Sequence, residues 1–230
     1  MFKGNTLTQK FLLELERLAL TFSDRAQDVD RGDYSPAENL KSLAQIDYYR
    51  FVVKASPGER RRGLDLLSSG CGVTSFLSTQ HEGVCRRLHE ADHPDTEAAL
   101  SGTLWIGVCF AHLRRTPSPV DALPMRNEVI FSGHGPWFSG HQLMQKVVVG
   151  GADSEGTFLM GLASLDVPEI QVRPLAPLAV MNSTATVGLD FNALKISNED
   201  IVVRINSKIL DEKDMHSTCL LYTSPSPRDS

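Results

Sequence analysis

Apolar side chains recur every three or four residues through the first half of the chain, which is the period of an amphipathic α-helix. The first stripe stops at Gly32, and glycine commonly follows the last turn of a helix. The pattern predicts an α-helical bundle over residues 1–110. Two of the clearest stripes consist of Phe11, Leu15, Leu18, Phe22, Ala26 and Val29, and of Leu64, Leu67 and Cys71.

Two segments carry the signature of a helix start. Ser35-Pro36-Ala37-Glu38 and Ser56-Pro57-Gly58-Glu59 each place a serine three residues before a glutamate, with proline at the first helical position. This spacing is the capping box, in which the serine and the glutamate each satisfy a backbone N–H of the first turn. A helix is therefore predicted to begin at each of these segments.

The second half of the chain changes to short runs of alternating or continuous apolar residues separated by glycine-rich turns. Six such runs predict an antiparallel β-barrel or β-sandwich over residues 111–205. The segment Arg114–Pro124 holds three prolines and is interpreted as a linker or an ordered active-site loop. The predicted fold class is α+β and multidomain, with the helical bundle first. The six runs are 128–131, 146–149, 157–160, 170–172, 186–191 and 201–203.

Composition and charge exclude some classes of function. The 230 residues carry a net charge of −5, so a basic surface for nucleic acid is not expected. The longest apolar run, Leu104–Ala111, is far shorter than the ~20 residues that span a bilayer. Glu14, Glu16 and Arg17 interrupt the apolar residues of the N-terminus, so a signal-peptide core is not expected. We expect a soluble cytoplasmic protein without a membrane span.

The end of the chain departs from the pattern before it. Residues 219–230 read Cys-Leu-Leu-Tyr-Thr-Ser-Pro-Ser-Pro-Arg-Asp-Ser and resemble the conceptual translation of a transposase adapter used in sequencing libraries. The alternative is a Ser/Pro-rich disordered tail. On the adapter interpretation, residues 206–218 are the start of a truncated C-terminal region. We therefore exclude 219–230 from the interpretation of the fold.

The cysteines do not indicate a metal site or a disulfide framework. Three of them, Cys71, Cys85 and Cys109, lie outside the tail, and none forms a C-x-x-C pair. Buried small apolar side chains are the expected role for all three. His134 and His141 stand seven residues apart across a turn, which is not a metal-ligand spacing. No metal is predicted.

One glycine-rich segment carries a resemblance to a known family. Residues 131–140 read Phe-Ser-Gly-His-Gly-Pro-Trp-Phe-Ser-Gly and are similar to the G-x-K-x-W-I-T-x motif that opens the middle β domain of acyl-CoA dehydrogenases. Residues 181–191 resemble the hairpin that closes that domain. The order of helices and strands also resembles this family, over about residues 8–205. Weaker matches lie at 26–31, 36–40, 81–88 and 99–102.

The resemblance implies an FAD-dependent oxidoreductase that dehydrogenates an acyl-CoA thioester between its α and β carbons. It implies that Trp137 packs beside the isoalloxazine and that the hydroxyl of Ser139 reaches flavin N5. Backbone groups of Ala111, His112 and Leu113 would contact the pyrimidine edge. Glycines 133, 135 and 140 would let the backbone approach the ring. Family members are commonly homo-oligomers whose interface comes largely from a third, C-terminal domain, which is expected to be missing here.

The sequence also departs from the family. Where the family has Thr-Glu-Pro and then Gly-Ser-Asp, this chain reads Phe110-Ala-His-Leu-Arg-Arg-Thr-Pro-Ser-Pro119. Arg114 and Arg115 either contact the pyrophosphate of the cofactor or are solvated charges. Thr116 or Ser118 is a weak candidate to replace the serine of the family's Gly-Ser-Asp at the pyrophosphate. The family's catalytic glutamate lies in the C-terminal domain, and no residue here matches it. The catalytic residues are therefore unknown.

Two other interpretations stay open. A reduced-flavin-dependent monooxygenase of the same fold lacks the catalytic glutamate, and histidines near the flavin could act as acids or bases. A binding or scaffold relative that has no cofactor would explain the missing Thr-Glu-Pro. The roles of three histidines stay open: His112, His134 and His141 are each either an acid–base group or a structural residue. His81, on a predicted helix, is expected to be structural.

Overall fold

The computed structural model of the chain describes residues 6–115, 117–176, 178 and 180–206. In this described part the first half folds into α-helices and the second half into strands, so the predicted α+β class is confirmed. The helices are α1 (Thr6–Asp24), α2 (Ala26–Arg31), α3 (Pro36–Gln45), α4 (Tyr48–Lys54), α5 (Pro57–Gly70), α6 (Gly72–Glu90) and α7 (Thr96–Leu100).

The first apolar stripe forms two helices rather than one, because the chain leaves the helix at Arg25 between α1 and α2. Leu15, Phe22 and Val29 from this stripe are fully buried in the helical core. Gly32 ends α2 with a φ of 85°, the left-handed conformation that glycine adopts at least cost. The predicted stop signal is thus confirmed.

The two predicted capping boxes behave differently. At α5 both bonds form: the Glu59 N–H donates to Ser56 Oγ, and the Ser56 N–H donates to the Glu59 carboxylate at 2.8 Å. At α3 the Ser35 hydroxyl accepts from the Ala37 N–H at 3.3 Å. Glu38 instead pairs with Lys41 at 2.9 Å. Both helices begin where predicted, but only α5 has the complete box.

His81 connects the helices to the sheet. Its imidazole is fully buried on α6, where Nδ1 accepts from the Ile106 N–H at 3.1 Å and Nε2–H donates to the Ala99 carbonyl at 3.0 Å. Burial lowers the pKa of His81 to about 4, although the nearby backbone carbonyls of Ala99 and Ile106 act in the opposite direction. The ring is therefore neutral, and its contacts are those of a structural residue, as expected.

Eight strands form one mixed sheet in the order β6-β7-β3-β2-β4-β5-β8, with β1 paired to β4. Most neighbours are antiparallel; for example, Phe131 of β3 is opposite Leu194 of β7. The strands are β1 (Ile106–Cys109), β2 (Val120–Pro124), β3 (Glu128–Phe138), β4 (Lys146–Ala152), β5 (Thr157–Ser164), β6 (Ile170–Arg173), β7 (Val187–Ser197) and β8 (Ile201–Asn206).

Two details of the sheet differ from the sequence prediction. The sheet is not wholly antiparallel, because β4 pairs in parallel with both β1 and β2. It is also not a closed barrel, since no pairing joins β6 to β8 within the described strands. The sandwich alternative fits. Strand β2 lies in the segment that the sequence analysis interpreted as a linker or loop. Strand β1 lies before the predicted domain boundary at residue 110. The boundary itself stays a prediction.

Some expectations concern residues outside the described part of the chain. Two of them lie entirely or almost entirely outside it: the expected start of a truncated region at 206–218, of which only Asn206 is described, and the adapter-like residues 219–230. Among the residues that the structure does describe, no helix combines the length and apolarity needed to cross a membrane.

Candidate functional site

Trp137 is presented at the surface by an irregularity in β3. Gly135 is opposite Leu189 and Phe138 is opposite Val187, so β3 has one more residue than β7 across this interval. Such a bulge redirects side chains and is frequent beside binding sites. Phe138 is fully buried, whereas 51% of the Trp137 side chain is exposed. Trp137 therefore does not enter the β core.

Gly135 lets β3 lie tightly against β1 and the segment that follows it. A Cβ at position 135 would lie 2.3 Å from Cys109 Sγ and 3.6 Å from His112 Cε1. Gly133 has a φ of +130°, and a Cβ there would meet the Pro119 carbonyl oxygen at 2.2 Å. Protein atoms therefore fill the space at these glycines. The expectation that the backbone at these glycines approaches a flavin ring stays a prediction.

The chain entering the β region contacts Trp137 through Arg115. Residues Ala111–Arg114 form a short 3₁₀ helix, and the next residue, Arg115, places its guanidinium carbon 5.1 Å from the centroid of the Trp137 ring. Arg115 is exposed. A cation beside an accessible indole thus marks this end of β3.

The side chains of His112 and Leu113 belong to the core rather than to a binding surface. Only 1% of His112 is exposed, and its Nε2–H donates to the Gly150 carbonyl at 2.8 Å. Burial lowers the pKa of His112, so the imidazole is neutral. The Leu113 N–H donates to the Phe110 carbonyl at 3.0 Å. Of the predicted backbone contacts, those of Ala111 and His112, at the start of the turn, are the ones left for a ligand.

Ser139 is buried in a row of hydroxyl groups. Its Oγ lies 2.7 Å from Thr186 Oγ1, which lies 2.8 Å from Thr184 Oγ1. Ser139 is 7% exposed and follows the last residue of β3, so strand alternation does not place it on the Trp137 side. The sequence analysis missed the two threonines, although they lie in the 181–191 segment that carried part of the resemblance.

The two histidines that flank Trp137 differ in environment. His134 Nδ1 lies 2.7 Å from Asp190 Oδ1, and Arg173 donates to the other oxygen of that carboxylate. Burial acts to raise the pKa of Asp190, but the bonds from Arg173 and His134 hold it below its ordinary value. His134 is thus engaged in a hydrogen-bonded cluster with Asp190 and Arg173. The buried Nδ1 of His141 has no hydrogen-bond partner among the described residues.

Two open clefts flank this region. One, of about 540 Å³, is lined by Arg115, Ser118 and Asp121 together with residues of the 152–158 turn. The other, of about 530 Å³, is lined by Gln142, Leu143 and Ser183 together with the Gly32–Pro36 segment. Both volumes suit a small ligand. Trp137 and Ser139 line neither of these two clefts, and the cleft that they are expected to share with 111–113 stays a prediction.

Sequence comparisons identify no relative: no family model and no curated protein matches the chain. Solved structures do match. A glutaryl-CoA dehydrogenase from Mycobacterium smegmatis in complex with FADH2 superimposes with a TM-score of 0.74 at 9% identity, over 89% of this chain and 57% of that one. Butyryl-CoA dehydrogenase from Megasphaera elsdenii gives 0.68 at 12% identity, over 87% and 59%.

A monooxygenase has the same architecture. The HsaA monooxygenase from M. tuberculosis matches with a TM-score of 0.66 at 16% identity, over 84% of this chain and 54% of that one. The likeness at these identities is one of fold. The chain thus has the fold of the acyl-CoA dehydrogenases, and the resemblance found in the sequence is confirmed at that level. The chain spans a little over half the length of the structures it matches.

Proposed function

We propose that this chain forms the cofactor-binding part of a flavin-dependent oxidoreductase, with the flavin at the end of β3 that carries Trp137. The observation that carries the proposal is the half-exposed Trp137 ring, held at a β-bulge beside the cation of Arg115. An exposed indole on a rigid strand offers a flat apolar wall to an isoalloxazine. A bound FAD supplies the two-electron acceptor or donor of the reaction.

The neighbouring residues suit a flavin. Arg115 offers positive charge to a pyrophosphate or to a reduced, anionic ring. The side chain of Arg114 lies outside the described part of the structure. The buried His141 Nδ1, two residues beyond Ser139, lacks a partner among the described residues, and a ligand group can supply one. Backbone N–H groups of Ala111 and His112 are donors for the pyrimidine edge.

The proposed substrate is an acyl-CoA thioester, oxidised between its α and β carbons. Two of the matching structures are dehydrogenases of acyl-CoA compounds, by their names, which supports this choice. The residues assigned in this chain bind and orient the cofactor; the base that removes the α-proton is not assigned. A homo-oligomer formed through a C-terminal domain and a cytoplasmic location stay predictions.

A reduced-flavin-dependent monooxygenase is the second candidate. The segment at the family's Thr-Glu-Pro position forms a 3₁₀ helix with a buried histidine in place of that motif, and one matching structure is a monooxygenase. Mixing the oxidised flavoprotein with acyl-CoA compounds under argon separates the two when the protein tested includes the expected C-terminal domain, where the family's catalytic glutamate lies. Loss of the visible flavin colour supports the dehydrogenase. Retained colour, with oxygen consumption by the chemically reduced protein, supports the monooxygenase.

Flavin binding itself is tested by titrating the protein with FAD and with FMN, followed by visible absorption and protein fluorescence. Loss of the aromatic contact in Trp137→Leu is expected to weaken binding about tenfold. Phe76→Leu is the matched control, because Phe76 is an exposed aromatic residue on a different element, α6. If both variants weaken flavin binding equally, the flavin does not bind at Trp137. No saturable binding by the unmodified protein would favour the cofactor-free binding relative.

A further inference from the structure

A third, smaller pocket lies between α6 and strand β8, and its volume is about 300 Å³. A bulge in β8 leaves Val202 as the extra residue between Ile201 and Val203, where β8 pairs with β5. We call this cavity the Arg87 pocket. Its lining includes Arg86, Arg87 and Glu90 of α6, Ala91 directly after the helix, and Val202 and Val203 of β8.

The guanidinium of Arg87 is held in place without a counter-ion. Its Nη1–H donates to the Gly83 carbonyl at 2.8 Å, and its central carbon lies 5.3 Å from the centroid of the Phe110 ring. A Cβ at position 83 would lie 3.3 Å from Arg87 Nη1, so the bare glycine lets the cation lie against α6. The other four N–H groups of the guanidinium have no hydrogen-bond acceptor among the described residues, and no described carboxylate lies within 4 Å of it.

Neighbouring carboxylates do not supply the missing negative charge. Glu90 lies 4.0 Å from Arg86 Nη2, and both of these side chains are exposed, so the pair contributes little. Glu82, on the same helix, accepts from the Tyr48 hydroxyl at 3.2 Å. Two guanidinium groups and one carboxylate therefore line the Arg87 pocket, which leaves it with a net positive charge.

The partial burial of Arg87 favours a bound anion. Burial lowers the pKa of Arg87 and the charge of Arg86 acts in the same direction, whereas Glu90 acts in the opposite one. The guanidinium nevertheless stays charged at any physiological pH. A cation that is partly removed from water without a counter-ion carries a desolvation cost, which a bound anion offsets. The planar fork of N–H groups matches the oxygens of a carboxylate or phosphate.

We infer that the Arg87 pocket binds the carboxylate or phosphate group of a small organic molecule. The free N–H groups of Arg87 donate to the oxyanion, and Arg86 adds a second positive charge. The volume lies at the lower end of the range for small-molecule sites. The uncharged wall formed by Val202 and Val203 is available to the rest of the molecule. This inference does not depend on flavin binding.

The test is a titration with sodium phosphate and with sodium acetate at constant ionic strength, followed by the NMR shifts of the Gly83 and Ala91 backbone N–H groups. Saturable shifts are expected, and the tighter of the two anions identifies the preferred ligand group. Arg87→Gln removes charge-assisted hydrogen bonds and should weaken binding about tenfold. Glu90→Gln removes the one carboxylate of the pocket and should tighten binding up to about fivefold.

Arg60→Gln is the matched control. Arg60 is also partly buried and donates to a backbone carbonyl, that of Ala55 at 2.7 Å, but it lies on α5 and does not line the pocket. Its substitution should leave the dissociation constants unchanged, and thermal unfolding without added anion checks that each variant is folded.

Three results would overturn the inference. The first is the absence of saturable shifts with both anions. The second is equal weakening by Arg60→Gln and Arg87→Gln, or unchanged binding in Glu90→Gln, because either places the anion outside the pocket. The third is a dimer, detected by sedimentation, that Arg87→Gln dissociates, since the cation would then serve a second copy of the chain. Failure to bind FAD would refute the proposed function and leave these measurements unaffected.

Discussion

The guanidinium carbon of Arg115 lies 5.1 Å from the centroid of the Trp137 ring. The two residues are separated in the chain by β2 and most of β3, and the antiparallel pairing of these strands, with Ala122 opposite Phe131, turns the chain back so that they meet. The contact joins the segment that replaces the family's Thr-Glu-Pro to the tryptophan of the hairpin motif. It is one described link between the two predicted halves of the cofactor site.

Replacing Arg115 by glutamine is expected to uncover the Trp137 ring. Acrylamide quenching of tryptophan fluorescence should increase, because the other tryptophan, Trp105, is buried. The free energy of unfolding should fall by less than about 1 kcal/mol, the usual size of an exposed cation–π contact. Arg126→Gln, in the exposed turn between β2 and β3, is the control and should change neither quantity. Unchanged quenching in Arg115→Gln would show that the guanidinium does not cover the ring.

Gly135→Ala should destabilise the protein because its new methyl group would lie 2.3 Å from Cys109 Sγ. Overpacking of this kind costs about 1–3 kcal/mol, measured as the free energy of unfolding in urea. Adding Cys109→Ala removes the clashing sulfur and should restore part of the loss. If the two substitutions are simply additive, the contact between positions 135 and 109 is not the cause.

The buried His81 makes stability depend on pH. Its pKa is about 4 in the folded protein and about 6.5 when unfolded, so below pH 6.5 the unfolded chain binds the proton first. Stability contributed by neutral His81 is therefore present above about pH 6.5 and is lost as the pH falls toward 4, by about 3 kcal/mol in total.

His81→Gln is the matched variant for this pH effect. Glutamine offers one acceptor for the Ile106 N–H and one donor for the Ala99 carbonyl but does not titrate. Urea unfolding of both proteins between pH 7 and pH 4 should show a flatter profile for the variant. Parallel profiles would assign the pH dependence to other groups.

The two helix starts should respond differently to loss of their serine. Ser56→Ala removes one member of a complete capping box, and we expect a loss of ~1 kcal/mol in the free energy of unfolding. Ser35→Ala removes a single bond of 3.3 Å, so a smaller loss is expected. Thermal unfolding of both variants ranks them. An equal or larger effect at Ser35 would contradict the importance of the reciprocal Glu59 bond.

Local signals in the sequence were sufficient for the helical character of the first half and for most strands, although not for the break between α1 and α2. A stripe of apolar residues, a capping box or a glycine stop acts within a few neighbouring residues, so the start of α5 and the end of α2 followed from the chain alone. The runs at 128–131 and 157–160 likewise form parts of β3 and β5. The segment 131–140 also directed attention to Trp137, which the structure places at the surface.

Strands β1 and β2 were decided by tertiary pairing. β1 is a short stretch within an apolar run, and β2 lies among prolines, so neither shows the alternation of apolar and polar residues that predicts a strand. They form strands because β1 pairs with β4 and β2 pairs with β3. The chemistry of the site was decided in the same way. The sequence supplied Ser139, but its hydrogen-bond partner Thr186 and the adjoining Thr184 lie on the segment that leads into β7, and only the fold brings them beside it. A hydrogen bond between residues far apart in the chain leaves no local pattern, so only the folded structure could reveal it.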